Sequence, residues 1–171
     1  MRIAQAALCS YVVAPGAWRD DWAWGVPLII LTVVIHVLGL GFTYQRAVRI
    51  VKRRIDRDHP MALMAMIVST VTLFATGLHA AEAAAWAACY QFLGNRPDFK
   101  SAMLYSLGAM TTYGHGGVFL EDRWQLLGAI EALNGSLLFG LTTAFLIGTI
   151  QKCHQIVTRD PLLQLEIGRH N

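Results

Sequence analysis

The strongest constraint on this chain is the placement of its charges. Between Asp21 and Arg46 no charged side chain occurs, and residues 28–42 are almost entirely apolar. At about 1.5 Å of rise per residue, a helix of this length crosses the roughly 30 Å of a bilayer's hydrocarbon. A second apolar run covers 61–81, is interrupted by Glu82 and continues to 92, with Pro60 placed as a first-turn proline. A last run, 126–151, is uncharged apart from Glu131 and has Asn134 inside it. Three transmembrane helices are expected. Composition agrees: 55% of the residues are hydrophobic and 15% charged, where soluble domains carry about 25% charged residues. With 171 residues, one domain is expected.

The basic residues give an orientation. Arg46, Arg49, Lys52, Arg53, Arg54 and Arg57 crowd the first loop, and Lys152, Arg159 and Arg169 follow the last run. Positive loops stay in the cytoplasm, so the N-terminus lies outside and the C-terminus inside. Arg46, Arg49, Arg53 and Arg57 also recur at helical spacing and suit anionic lipid. The modest positive charge is thus a matter of topology and calls for no nucleic acid. Residues 1–25 read as an interfacial segment rather than a cleaved signal, with Trp18, Trp22 and Trp24 as a headgroup belt. Cys9, Cys89 and Cys153 have neither metal-ligand nor redox spacing and read as small packing residues.

The region 101–120 is uncharged but rich in Gly, Thr and Tyr. Its first part gives only about three turns of helix, too short to span, so a re-entrant segment is expected. The glycine-dense part must be buried in protein or line water, because lipid leaves backbone polar groups unpaired. In Thr111-Thr112-Tyr113-Gly114-His115-Gly116-Gly117, glycines permit left-handed backbone angles that turn successive carbonyls to one side. A helix C-terminus carries partial negative charge, and a row of carbonyls replaces an ion's hydration shell. One chain supplies only part of such a cage, so self-association is required.

The order outer helix, short helix, T-x-G-x-G, inner helix resembles the pore module of tetrameric potassium channels, whose filter usually reads T-V-G-Y-G-D. Within that family the chain is similar to small bacterial channel-like proteins with an extra first helix, a His-x-x-Glu and Trp on the outer helix, and L-G-x-x-E-A-x-N-G on the inner helix. Here these are His79, Glu82, Trp86 and the stretch from Leu127 through Gly128, Glu131 and Asn134 to Gly135. The resemblance covers roughly residues 28–152. It implies an all-α membrane fold: three transmembrane helices plus a re-entrant pore helix and filter loop, assembled as a homotetramer in the bacterial inner membrane. The expected boundaries are a 1–25 interfacial segment, a 26–60 first helix with basic extension, a 61–152 pore module made of outer helix 61–93, pore helix 98–111, filter 112–117 and inner helix 124–152, and a 153–171 cytoplasmic tail.

The implied function is a cation channel rather than an enzyme. Potassium or another monovalent cation is bound in the filter, and no other cofactor or metal is needed. The ion-binding residues are then Thr112, Tyr113, Gly114, His115 and Gly116, supported by Tyr105, Thr111, Gly117 and Glu131. Three departures stand out: Tyr113 replaces Val or Ile, His115 replaces Tyr or Phe, and Gly117 replaces Asp. The last bears on selectivity, because the family's Asp helps hold its filter open.

His115 is either a proton sensor or a packing replacement. Glu121 and Asp122 fall at the outer mouth, either as an acidic ring or as a solvated turn. Glu131 and Glu82 are carboxyls inside membrane helices, which are costly and functional by default. Glu131 is expected either to brace the filter against the pore helix or to pair with His79 or Arg123. Asn134 faces the cavity or bonds across helices. Gly135 and Gly140 are gating hinges or close-packing positions. His36 reads as a satisfied interior histidine. Two alternatives stand beside the channel: a non-conducting pore-like subunit, and a haem-binding redox protein using His36, His79, His115 and His154. Against haem, His36 is expected near mid-membrane and His79 near the outer face.

Overall fold

A computed structural model of the chain describes residues 18–54, 60–114 and 120–158. Among these residues the structure is all helical, with four α-helices and one short 3₁₀ turn. Helix α1 is Arg19–Arg54, α2 is Pro60–Phe92, α3 is Phe99–Met110 and α4 is Gln125–Thr158. Within α1, α2 and α4 the segments Arg19–Val51, Met61–Phe92 and Gln125–Ile156 are long and apolar enough to cross a membrane. This points to a membrane protein. Many large apolar side chains lie exposed along these helices, among them Leu38, Leu73, Met66 and Leu137. In a bilayer such surface faces lipid tails rather than water.

The chain divides into two compact units, Met1–Val33 with Glu82–Ser136, and Val34–Ala81 with Leu137–Asn171. The first holds α3. Its connection from α2 is built by an identifiable helix stop. Gly94 adopts φ +72, its N–H donates to the Gln91 carbonyl and the Asn95 N–H to that of Tyr90. This is the Schellman arrangement, in which a left-handed residue lets two terminal carbonyls find donors. Four residues later Asp98 starts α3: its carboxylate accepts the Ser101 N–H at 2.9 Å and the Ser101 hydroxyl at 2.9 Å. An extended Asp at this position satisfies donors that the first helical turn leaves over.

The start of α4 is satisfied differently. Asp21, on α1 and almost fully buried, accepts the backbone N–H of Leu127 at 3.0 Å. Leu127 is in the first turn of α4, so a side chain from another helix supplies the cap. Close packing follows nearby: a methyl group placed on Gly25 would lie 3.0 Å from the side chain of Ile130.

In the second unit, Ala47, Val51, Ile67, Val71 and Cys153 form the apolar core, with Leu63, Met64, Phe145, Leu146 and Ile156 against it. Gly39 lets α1 approach α2, where an added Cβ would come within 2.9 Å of Leu78.

Candidate functional site

Helix α3 is twelve residues long, about 18 Å at helical rise. It is buried through Ala102, Tyr105, Ser106, Gly108, Ala109 and Met110. A polar cluster fixes it in place. The Ser106 hydroxyl reaches the Ala83 carbonyl of α2 at 2.8 Å and makes a very short contact with Glu131 Oε1 of α4. Tyr90 of α2 donates to Glu131 Oε2 at 2.5 Å. Glu131 is fully buried. Glu131 thus meets the short helix at Ser106.

Proton counting constrains the cluster. Ser106 has one hydroxyl proton but two oxygen partners, the Ala83 carbonyl and Glu131. Ser106 is the donor in both contacts, so its single proton is shared between the two oxygens.

Two glycines on α4 let α3 come close. Tyr105, whose hydroxyl end lies against Gly128, leaves no room there for a side chain. At Gly135 an added Cβ would stand 2.6 Å from the Met110 carbonyl oxygen. Gly140, by contrast, has open space around it.

Past Met110 the chain changes character. Thr111 turns its hydroxyl back to the Leu107 carbonyl at 2.6 Å, and the Thr112 N–H donates to Ala109. Thr112 has φ +56 and Gly114 φ +91. A left-handed β-branched residue is an outlier and costs on the order of 1–2 kcal/mol. Glycine, the usual residue for such a position, is absent at 112. Residues 111–114 are exposed, and Tyr113 retains 91% of its accessible surface. His115, Gly116 and Gly117 lie outside the described residues. Glu121 is exposed, and Asp122 opens the 3₁₀ turn Asp122–Trp124.

Asn134 bonds across helices, donating to Thr32 of α1 at 2.9 Å. A second polar cluster corrects a sequence expectation. His36 and His79 are not separated in depth: their ring centroids are 4.9 Å apart. The Nε2 of each lies 3.0 Å from the Thr142 hydroxyl. The depth argument fails because α2 has 33 residues, about 50 Å. Counting along so long a helix from its charged end does not locate the membrane centre.

Comparison with protein-family models, with curated proteins and with solved structures gives no match for this chain. The site therefore rests on its own geometry.

Several members of these clusters escaped the sequence reading. Tyr90, Ser106, Asp21 and Thr142 are ordinary polar residues inside helices, and no spacing rule marks them. One weak signal existed. Tyr90 lies four residues after Trp86, on one helix face, and both are fully buried.

Proposed function

We propose that this chain is one subunit of a homotetrameric cation channel, with α3 as a re-entrant pore helix and 112–116 as the ion filter. The observation that carries this reading is the strained, exposed segment at the carboxyl end of a buried helix too short to span. Thr112 and Gly114 both take positive φ, and strain of this kind persists only where the surroundings demand it. In an extended strand successive carbonyls point to opposite sides; left-handed residues at alternate positions bring them toward one side. Irregular backbone at membrane depth needs protein or water around it, and three further copies would provide both.

Other features support the same reading. The carbonyl end of α3 bears partial negative charge where a cation would wait. Tyr105, Thr111, Glu131 and Gly135 hold that end from behind, so Glu131 serves as a brace. Glu121 and Asp122 follow the filter at the outer mouth. The basic loop and tail face the cytoplasm, and transport through carbonyls needs no catalytic group.

The haem alternative is less well supported. Two imidazoles on opposite faces of a porphyrin need centroids more than about 6 Å apart, whereas those of His36 and His79 are 4.9 Å apart and share Thr142. The test is potassium flux into liposomes carrying the purified protein, with sodium in parallel. Flux abolished by Gly114→Ala is expected, because alanine is strained at φ +91. Absence of flux for either ion from intact tetramers would favour the non-conducting subunit.

A further inference from the structure

Four threonines of the second unit, Thr43, Thr70, Thr76 and Thr143, spend their hydroxyls on the carbonyl one turn back along their own helix. That is the ordinary fate of threonine inside a helix. Thr142 is engaged otherwise. Two histidines from two different helices aim Nε2 at its oxygen, each at 3.0 Å. His36 is fully buried and Thr142 nearly so. His79 is held flat by Phe139, with centroids 4.2 Å apart and planes 20° from parallel. All three polar residues lie within three positions of the middle of their apolar spans.

The Thr142 hydroxyl has one proton to give and lone pairs to accept with, so it can serve both imidazoles when they hold opposite tautomers. A second imidazole at the same point adds a group that is costly in an apolar membrane interior and that packing alone does not call for. Convergent imidazole nitrogens on separate, rigid elements are instead how late first-row transition metals are held. One ring nitrogen of His36 lies within 4.8 Å of one ring nitrogen of His79. Neighbouring ligands on a tetrahedral zinc, with bonds of about 2.0–2.1 Å, are about 3.3 Å apart. A small change of side-chain torsion closes that gap.

We propose that His36, His79 and Thr142 form an intramembrane binding site for a late first-row transition-metal ion of the Zn2+ class. The two imidazoles bind through Nε2 in the tautomer protonated at Nδ1, and the Thr142 oxygen supplies a third donor. Water takes the fourth position. An ion there ties α1, α2 and α4 together.

The experiment uses full-length protein in detergent, stripped with chelator and titrated with Co2+, then with Zn2+. The expected result is one ion per chain, with the intense visible bands of tetrahedral Co2+, and displacement by Zn2+. His36→Gln and His79→Gln, which keep a polar group toward Thr142, should each weaken Zn2+ binding at least tenfold by calorimetry. Thr142→Val should weaken it less, and His154→Gln, at an exposed position on α4, should leave it unchanged. A wild-type spectrum no different from aqueous octahedral Co2+ overturns the site, and needs no variant to fold. So does Zn2+ binding that survives in the His36→Gln/His79→Gln double variant with helical content retained. The site does not depend on the channel reading: conduction without Zn2+ binding sinks one proposal, and binding without conduction the other.

Discussion

Met110, the last residue of α3, presses its backbone against Gly135 of α4 so closely that a Cβ there would sit 2.6 Å from its carbonyl oxygen and 2.7 Å from its Cα. Backbone atoms cannot swing aside as a side-chain tip can. Alanine is the better helix former by about 1 kcal/mol, yet overpacking of this kind costs roughly 1–3 kcal/mol. Gly135→Ala is therefore expected to lower the thermal midpoint in detergent. Gly140→Ala, with open space around it, should be neutral or raise it. If Gly140 acts as a bending point of α4, its alanine variant will alter potassium flux while leaving that midpoint intact.

The cluster of Ser106, Tyr90 and Glu131 makes a second prediction. Glutamine is the near-isostere of a neutral glutamic acid: its amide oxygen accepts from Tyr90 and its NH2 donates to Ser106. Glu131→Gln should leave stability within about 1 kcal/mol of wild type. Glu131→Leu takes away the acceptor of the buried Tyr90 hydroxyl, a cost of about 1–3 kcal/mol, while Ser106 keeps the Ala83 carbonyl. Tyr90→Phe should fall between. Chemical unfolding monitored by tryptophan fluorescence ranks the three. A glutamine variant as damaged as the leucine variant would mean that Glu131 is held as a charged group.

How much of this was legible beforehand depends on the kind of signal. The three long helices were read directly, since uncharged runs of membrane length admit few other structures. The short helix was read from its length and from the glycines after it. What the sequence hid were pairings between distant residues: Asp21 with Leu127, Ser106 with Glu131, and both histidines with Thr142. Each joins separate helices through a single hydrogen bond, and no local periodicity encodes that. The depth of His79 was misjudged for a related reason, since helix length in excess of the membrane removes the ruler on which depth was counted.

Asp21 offers a third test. It caps α4 from α1 by accepting the Leu127 N–H, one of the donors every helix start leaves over. Replacing a capping Asp with alanine costs about 1 kcal/mol, within a range of about 0.5–2. Asp21→Ala should lower stability by that amount, while Asp21→Asn keeps the acceptor and most of the effect. Hydrogen exchange gives a local readout: the Leu127 amide should lose protection in the alanine variant and retain it with asparagine.

The last prediction concerns pH and the start of α3. Asp98 lies outside the apolar spans, and bonds from the Ser101 N–H and hydroxyl hold its carboxyl below the usual aspartate range. A folded-state pKa below the unfolded one means that the ionised form is favoured by folding. The stabilisation is therefore fully present above the unfolded value, about 3.9. It is lost as pH falls through the lower folded value. At neutral pH no change is expected. Acidification below about pH 4 should release the first turn of α3, read as faster exchange of the Ser101 amide. Asp98→Asn keeps a capping oxygen but has no proton to gain, so its Ser101 exchange should lose this acid-specific component. Equal acid sensitivity in the asparagine variant would assign the effect to another group.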